Sequence, residues 1–302
     1  MNIFCYGTDT IPSCKRVIAI GFFDGVHIGH RRLFDTAREL AKKRGHTFTV
    51  FTFSSESKGL KRDAERLYST TEKLSLISDA GADEAVVADF AFLRDLSAEE
   101  FVRGVLIGAL GCSVAVTGRD FRFGKGALAD TAVLKELLSA GGGEHVTVDD
   151  VALDGEKVSS TLIRSYLKTD IKKANAMLGS PYFAEGEVTR GRGVGHALGF
   201  PTVNVSLVGA ARELRRGVYA SRVSVGTGVY RALSNVGTCP TFDEREVHLE
   251  AYIIDFDGEL YGERIRIYLD EFIRDEIRFE SEKDLILQIK LDINRLNKEF
   301  EE

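Results

Sequence analysis

The chain has 302 residues, a length that is typical of two domains. Apolar residues make up 44% of the sequence, enough to fill ordinary cores, and the formal net charge is -6. This acidic balance, together with the lack of a long basic run, excludes nonspecific nucleic-acid binding as the main activity. No apolar run approaches the length of a membrane-spanning helix, so we expect no membrane partner. The sequence leaves the oligomeric state open.

Four cysteines are spread along the chain, namely Cys5, Cys14, Cys112 and Cys239. None belongs to a Cys-x-x-Cys pair, and the sequence shows no secretory leader. Cys5 and Cys14 could form a disulfide, but two small apolar residues are the simpler interpretation. The cysteine pattern therefore predicts free thiols and a cytoplasmic location.

The first half of the chain alternates short apolar runs with helix-like segments. Strands are predicted at residues 17–22, 47–53, 84–88 and 113–117. Helices are predicted to start at Ser69 and Ser97, because each serine is followed three residues later by a glutamate, in the pattern of a capping box. This alternation predicts a Rossmann-like α/β domain with a parallel sheet and helices on both faces. In such sheets, ligands bind beyond the carboxyl ends of the strands.

A loop rich in glycine and histidine follows the first predicted strand, at residues 21–30 (GFFDGVHIGH), and a helix is predicted after it at residues 31–44. Glycines let the backbone approach an anion, and a helix N-terminus offers free N–H groups with a partial positive charge. His27 and His30 would donate hydrogen bonds to phosphate oxygens as charge develops there. The pattern predicts a nucleotidyl-transfer site, and a purely structural glycine turn is the alternative. The residues expected to bind the phosphates of a nucleotide triphosphate in this loop are Gly21, Phe22, Asp24, Gly25 and Gly29.

Two further loops in the first half have residues that suit phosphates. Residues 118–124 (GRDFRFG) follow a predicted strand, and residues 159–164 (SSTLIR) begin a helix. Hydroxyl groups and an arginine at a helix start can bind a triphosphate. Taken singly, the first loop could be a turn with two core phenylalanines, and the second could be a plain helix cap. The candidate residues are Asp120, Phe121, Phe123, Ser159, Ser160, Thr161 and Arg164.

The second half of the chain follows a different pattern. Strands rich in β-branched and aromatic residues are predicted at residues 185–189, 202–205, 219–225, 230–235, 247–256 and 264–272. Glycine turns rather than helices separate them, which predicts a small antiparallel β-barrel. One helix follows at residues 282–299, with an apolar stripe on one face. We place the domain boundary near Ser180, giving domains at residues 1–180 and 181–302.

Polar residues in this second half form a separate constellation. A glycine-rich loop at residues 190–195 (RGRGVG) could place backbone N–H groups around phosphates. Thr202 and Asn204 alternate on one strand and so share a face, where their oxygens would suit Mg²⁺, although an edge strand with exposed polar residues explains them as well. Glu250 lies in a mostly apolar strand, where it is either paired structurally or available as a general base.

The chain resembles the bacterial bifunctional riboflavin kinase/FAD synthetase family. Residues 21–30 are similar to its G-x-F-D-G-x-H-x-G-H signature, residues 118–124 to its G-x-D-F-x-F-G element and residues 159–164 to its S-S-T-x-I-R element. The resemblance implies that the first domain transfers AMP from ATP to FMN, giving FAD and pyrophosphate. It implies that His27, His30 and Arg164 act on ATP phosphates, that Ser160 and Thr161 help to hold the triphosphate, and that Asp24 shapes the loop or assists the metal. By the same resemblance, Asp120, Phe121 and Phe123 are candidates for flavin binding.

The resemblance extends through the second half. Residues 199–204 are similar to the G-F-P-T-x-N motif of riboflavin kinases, residues 235–242 to an N-x-G-x-x-P-T-F turn and residues 272–279 to an F-x-R-x-E-x-x-F flavin loop. The implied reaction is transfer of the ATP γ-phosphoryl group to the ribityl 5′-hydroxyl of riboflavin. Glu250 would accept the hydroxyl proton, and Thr202 and Asn204 would hold Mg²⁺. The residues implied to cover ATP are Arg190, Gly191, Gly193 and Gly195, and those implied to contact flavin are Arg274 and Phe279.

One segment departs from the family pattern. The family has a T-F-x-P-H-P element after its second strand, whereas here Thr52 and Phe53 are followed by residues 54–57 (SSES), without proline or histidine. One alternative function is therefore an active riboflavin kinase joined to a weak or retargeted nucleotidylyltransferase. Two others are a nucleotidylyltransferase for a different phosphate acceptor and a non-enzymatic flavin sensor.

Overall fold

The structure is a computed structural model that describes residues 1–57, 66–190, 198–207, 209–238 and 247–299. The chain divides into two compact units, Met1–Ser160 and Thr161–Glu302. No helix in the described part of the chain is both long enough and apolar enough to cross a membrane.

A parallel six-stranded sheet forms the centre of the first unit. Its strands are β1 (Asn2–Cys5), β2 (Arg16–Ile20), β3 (Thr47–Phe53), β4 (Glu84–Ala88), β5 (Cys112–Gly118) and β6 (Glu144–Val148). Their order across the sheet is β1-β4-β3-β2-β5-β6, and every pairing is parallel. The four predicted strands are therefore confirmed with small shifts of their ends. The two edge strands, β1 and β6, were not predicted, because most of their residues are exposed or half-buried and lack a continuous apolar run.

Helical segments connect these strands. They are α1 (Ile28–Arg44), α2 (Thr70–Asp79), α3 (Phe90–Leu93), a π-helix (Glu100–Ala109), a 3₁₀ turn (Lys125–Ala127) and α4 (Thr131–Ala140). Both predicted capping boxes form: Ser69 and Glu72 bond reciprocally at the start of α2, and Ser97 and Glu100 do so before the π-helix. A short hairpin of β7 (Ala152–Leu153) and β8 (Glu156–Lys157) completes the unit.

The order of the sheet reverses between β2 and β5. From β2 the chain continues to its neighbour β3 and then to β4, and later it returns to β5 on the other side of β2. At such a reversal the connections leave in opposite directions, and a crevice opens beyond the carboxyl ends of the two strands. The loops of residues 21–27 and 119–124 follow these two strands, so both predicted motifs lie at the ligand-binding position of the fold.

The second unit is an antiparallel barrel, as predicted. Its strands are β9 (Tyr182–Glu187), β10 (Thr202–Ser206), β11 (Gly217–Val225), β12 (Gly228–Thr238), β13 (Val247–Ile253) and β14 (Arg264–Arg274). They form one sheet in the order β10-β13-β12-β11-β14-β9. An antiparallel bridge between Thr189 and Asn204 joins the two edges, with the Thr189 N–H 2.9 Å from the Asn204 carbonyl oxygen. A 3₁₀ turn (Gly209–Glu213) precedes β11.

The last helix, α7 (Glu282–Glu299), has the predicted bounds. Its residues Ile289, Ile293 and Leu296 pack against buried side chains of the barrel, including Val218 and Leu233. The predicted apolar stripe therefore joins the helix to the barrel.

Two helices precede the barrel strands, α5 (Ser160–Leu167) and α6 (Ile171–Leu178). Asn175 of α6 ties this segment to the barrel, because its side-chain amide donates to the Leu269 carbonyl oxygen at 2.8 Å and its side-chain oxygen accepts from the Tyr182 N–H at 2.7 Å. Residues 161–180 thus group with the second unit, whereas the sequence pattern places the division near Ser180.

Candidate active sites

The loop that follows β2 has an unusual backbone. Phe23 and Val26 have positive φ angles of 55° and 43°, a region that is unfavourable for bulky and β-branched residues. Gly25, with φ of 90°, takes the conformation that only glycine adopts easily. A strained loop of this kind persists only where its surroundings hold it firmly.

Asp24 supplies part of that support. Its carboxylate accepts a hydrogen bond from the backbone N–H of Leu67 at 2.9 Å, and its carbonyl oxygen accepts one from the Ser160 hydroxyl at 2.8 Å. The side chain is buried, with 4% of the residue exposed. Asp24 thus connects the loop to Leu67 and Ser160, while its role in shaping the loop or assisting the metal, and that of Ser160 toward phosphate, stay predictions.

His27 and His30 are held together at the start of α1. His27 is the N-cap, and its Nδ1 accepts from the His30 backbone N–H at 3.4 Å. The two rings stack with centroids 3.5 Å apart and an interplanar angle of 19°. Because Nδ1 of His27 is an acceptor, the ring proton lies on Nε2, which can donate to a ligand. Among the described residues, Nδ1 of His30 is buried without a hydrogen-bond partner.

Both histidines are neutral at physiological pH. Burial lowers the pKa of His27 to about 4, although a backbone hydrogen bond opposes the shift. Burial, with the nearby charges of His27 and Lys73, holds the pKa of His30 well below its ordinary value. The pair therefore offers neutral hydrogen-bond donors and acceptors rather than a positive charge.

The loop after β5 divides its two phenylalanines between different environments. Phe123 is 7% exposed and belongs to the core, and Phe121 stacks on it with centroids 5.7 Å apart. Phe123 thus packs in the core, as the structural alternative predicts, and its contact with flavin stays a prediction. Asp120 is exposed and pairs with Lys157 at 3.3 Å. Phe121 and Asp120 stay predictions for ligand contact.

The third predicted loop is split by the division between the units. Ser160 contacts the Asp24 carbonyl oxygen within the first unit. Thr161 and Arg164 lie in the second unit, where Nη2 of Arg164 donates to the Thr161 hydroxyl at 3.1 Å. The roles of Ser159, Thr161 and Arg164 toward a triphosphate stay predictions.

The segment that departs from the family pattern forms a compact polar cluster. The Glu56 carboxylate accepts from the Ser54 hydroxyl at 2.8 Å, from the Thr70 backbone N–H at 3.1 Å and from the Thr70 hydroxyl. Burial raises the pKa of Glu56, but these hydrogen bonds outweigh it and the pKa is lowered. Glu56 therefore acts as an anionic cap at the start of α2.

The second unit contains a cavity of about 290 Å³ between the barrel and α7. Its lining brings together Thr202, Glu250, Arg274 and Phe279, which were predicted from separate motifs. Apolar side chains cover much of the wall, namely Leu198, Phe200, Val218, Leu233, Ile277, Leu285 and Ile289. An apolar cleft with a few converging polar groups is the usual form of a small-molecule site.

Glu250 lies in a row of polar residues across three strands. It is the cross-strand partner of Asn204 on β10 and of Asn235 on β12. Cross-strand partners share a face of the sheet, so all three side chains lie on the face that Glu250 presents to the cavity. Thr202, two residues from Asn204, lines the same cavity. The sequence motifs had included Asn235 without assigning it a role.

The other end of the cavity is fixed by an ion pair. Arg274 bonds to Asp292 of α7, with Nη2 and an oxygen 2.8 Å apart, and Gln288 donates to the same carboxylate at 2.8 Å. The Arg274 guanidinium lies 6.0 Å from the centre of the Phe279 ring. Asp292 was not predicted, because its burial depends on the packing of α7 against the barrel. Glu276, which also lines the cavity, lay in the flavin-loop motif without an assigned role.

Only Arg190 of the residues predicted to cover ATP belongs to the part of the chain that the structure describes. Gly191, Gly193 and Gly195 lie outside the described residues. Arg190 is described, and its guanidinium carbon lies 5.5 Å from the centre of the Tyr261 ring. Within the described ranges no group of three His, Cys, Asp or Glu side chains could hold a metal ion.

The fold and the two sites define a two-unit protein with a glycine- and histidine-rich loop of the phosphate-binding kind in one unit and an apolar cavity lined by Glu250 in the other. Family comparisons agree with that division. Residues 11–162 match the family model for FAD synthetase, and residues 178–300 match that for riboflavin kinase. The chain belongs to the bifunctional riboflavin kinase/FMN adenylyltransferase family.

Curated relatives with that name align over most of the chain. The protein of Bacillus subtilis (strain 168) is 35% identical over 92% of this chain and 90% of its own length. The protein of Escherichia coli (strain K12) is 33% identical over 91% of this chain and 90% of its own length. A crystal structure from Streptococcus pneumoniae, titled as a macrolide-efflux protein, is 30% identical with a TM-score of 0.88, covering 98% of this chain and 99% of that one.

Proposed function

We propose that this chain makes FAD in two steps, phosphorylating riboflavin to FMN in the second unit and transferring AMP from ATP to FMN in the first. The observation that carries the proposal is the convergence of Glu250, Thr202 and Arg274 on one apolar cavity, while the histidine loop lies at the reversal point of a separate parallel sheet. The family supports flavins and ATP as the substrates.

In the second unit, the Glu250 carboxylate would accept the proton of the ribityl 5′-hydroxyl as that oxygen attacks the γ-phosphorus of ATP and ADP leaves. Thr202 and Asn204 would hold Mg²⁺ through their side-chain oxygens, and that ion would neutralise phosphate charge. The fit is supported by the strand geometry, since both residues lie on the face of the sheet that Glu250 occupies. The apolar wall would take the flavin ring, and Arg274 would contact its polar edge.

In the first unit, the nucleophile would be the phosphate oxygen of FMN, which is already ionised and needs no general base. It would attack the α-phosphorus of ATP, and pyrophosphate would leave. Nε2 of His27 and the N–H groups at the start of α1 would donate to the phosphate oxygens as their charge increases. His30 would contact the phosphates beside it. Ser160 would help to hold the triphosphate.

We also place the protein in the cytoplasm. Cys5, Cys14 and Cys112 are free thiols, which supports a reducing compartment.

A product assay tests the proposed function. Purified protein is incubated with riboflavin, ATP and Mg²⁺, and the flavins are separated over time. We expect FMN to appear first and FAD to follow. Absence of both products would refute the proposal.

One observation favours a second candidate, a riboflavin kinase with a weak or retargeted adenylyltransferase. Glu56 places a carboxylate where the family has a histidine, beside a loop proposed to hold phosphates. FMN without FAD in the same assay would support this candidate, and trials with nicotinamide mononucleotide and phosphopantetheine as acceptors would then identify a retargeted site.

A further inference from the structure

A buried lysine joins the segments around the histidine loop. Lys73 of α2 is 1% exposed, an environment that lysine rarely occupies because burial of an ammonium is unfavourable. Its Nζ donates to the carbonyl oxygen of Phe22 at 3.1 Å and to that of Phe53 at 2.6 Å, and it lies 4.4 Å from the centre of the Phe22 ring. One side chain thus connects α2, the start of the loop and the end of β3.

The charge on this lysine is partly retained despite burial. Burial lowers the pKa of Lys73 to about 8, while Asp24 and Glu56 raise it and Arg66 lowers it. The ammonium form therefore predominates near neutral pH, where it gives two strong hydrogen bonds to carbonyl oxygens.

The Phe22 carbonyl is a critical point of the loop. It immediately precedes Phe23, whose φ of 55° begins the strained stretch that ends at Val26. A second donor, the Thr52 hydroxyl, reaches the same Phe22 oxygen at 2.9 Å. Two side-chain donors from different segments thus fix one peptide group ahead of the strained residues, which is the kind of support that such a conformation requires.

We propose that Lys73 is a positioning residue for adenylyl transfer. By holding the Phe22 and Phe53 carbonyls, it fixes the loop, and with it the His27 ring, relative to the end of β3. Lys73 itself contacts no substrate in this proposal. The proposal rests on the proposed function of the first unit, and a small displacement of a phosphate-contacting group is enough to slow a reaction strongly.

Amide hydrogen exchange tests the positioning without any substrate. The variants are Lys73→Met, which keeps much of the length but loses the charge and both hydrogen bonds, and Lys43→Met, the same change at an exposed lysine of α1. In Lys73→Met we expect amides of residues 21–30 to exchange at least about tenfold faster, with β2 and the centre of β3 unchanged. Unchanged exchange in the loop, or equal acceleration across the whole sheet, would overturn the proposal.

Steady-state kinetics then tests the link to the reaction. At a temperature where each variant is fully folded, kcat for FAD formation from added FMN should fall about tenfold or more in Lys73→Met and stay at the wild-type value in Lys43→Met. Faster loop exchange with unchanged kcat would reject the positioning role. If the wild type forms no FAD, the proposed function fails, and the exchange data still decide whether Lys73 holds the loop.

A milder variant covers the case in which Lys73→Met does not fold. Thr52→Val removes the other donor to the Phe22 oxygen and changes the volume little. We expect it to speed exchange in residues 21–30 and to lower kcat by a smaller factor than Lys73→Met. No change in either measurement would show that the Phe22 carbonyl does not control the loop, and would overturn the proposal.

Discussion

The ring of His27 stacks on that of His30 with centroids 3.5 Å apart, while its Nδ1 accepts the His30 backbone N–H. The same imidazole thus caps α1 and leaves Nε2–H for a ligand. Structural and chemical roles of His27 are carried by different nitrogen atoms, so a suitable substitution can separate them.

His27→Asn makes that separation. Asparagine is a favourable N-cap, so the thermal midpoint of the first unit should change little. The Nε2 donor is lost, and removal of one donor to a developing oxyanion slows a reaction by about 100-fold or more. We expect a loss of that size in kcat for FAD formation from FMN, with riboflavin phosphorylation unchanged. Normal FAD formation in the folded variant would exclude Nε2 as a phosphate donor.

The lowered histidine pKa predicts how stability depends on pH. Between pH 6.5 and about 4, the unfolded chain binds a proton at His27 and the native protein does not, so stability falls as the pH is lowered through this window. The resulting loss of unfolding free energy approaches about 3 kcal/mol below pH 4 and vanishes above pH 6.5. Urea unfolding from pH 7 to pH 4 gives the unfolding free energy of the wild type and of His27→Asn at each pH. The difference between the two slopes against pH measures the His27 effect, because His30 is present in both proteins. Parallel curves for the two proteins would contradict the assigned burial of His27.

Asp292 and Arg274 permit a test of whether their pair does more than stabilise the barrel. Asp292→Asn leaves Arg274 without its buried partner, and breaking a pair of this kind destabilises by about 3–5 kcal/mol. The double variant Arg274→Met/Asp292→Leu replaces the pair with apolar groups and should recover most of that stability. We expect the KM of this double variant for riboflavin to be about tenfold above the wild-type value. That change corresponds to the loss of one hydrogen bond from a charged group. Wild-type kinetics in the double variant would mean that Arg274 does not contact flavin.

Glu56 offers a test of the segment that departs from the family. Glu56→Ala removes the anionic cap of α2 and should destabilise the first unit by about 1 kcal/mol. Glu39→Ala, at an exposed site on α1, is the matched control and should change stability little. Riboflavin phosphorylation should be the same in both variants. Equal stability of the two variants would show that the contacts of Glu56 with Thr70 do not support the helix.

Much of the architecture could be predicted because it depends on local patterns. The central strands of the first unit are apolar runs, and the capping boxes mark helix starts. The loop of residues 21–30 could be placed because an apolar strand precedes it and a helical pattern follows it. The apolar stripe on α7 could also be predicted, because apolar residues recur there at helical spacing. Three separate family motifs had singled out Thr202, Glu250 and Arg274, and in the structure all three line one cavity.

What could not be predicted depends on contacts between distant segments. Lys73 and Asp292 look like ordinary surface charges in sequence, but the fold buries Lys73 against the Phe22 and Phe53 carbonyls and Asp292 against Arg274. Phe123 and Phe121 share one motif, yet only the fold assigns the first to the core. The exposed edge strands β1 and β6 lack the apolar run that marks a strand in sequence. The hydrogen bonds of Asn175 that tie α6 to the barrel have no sequence signature either.

If two separate sites catalyse the two steps, Glu250→Gln should affect only the first of them. With riboflavin and ATP, this folded variant should form FMN at least about 100-fold more slowly than the wild type, as expected for loss of a general base. With FMN and ATP it should form FAD at the wild-type rate. Glu259→Gln, at an exposed loop position of the same unit, should leave both rates unchanged. Equal loss of both activities in folded Glu250→Gln would rule out separate sites, and normal FMN formation would rule out Glu250 as the general base.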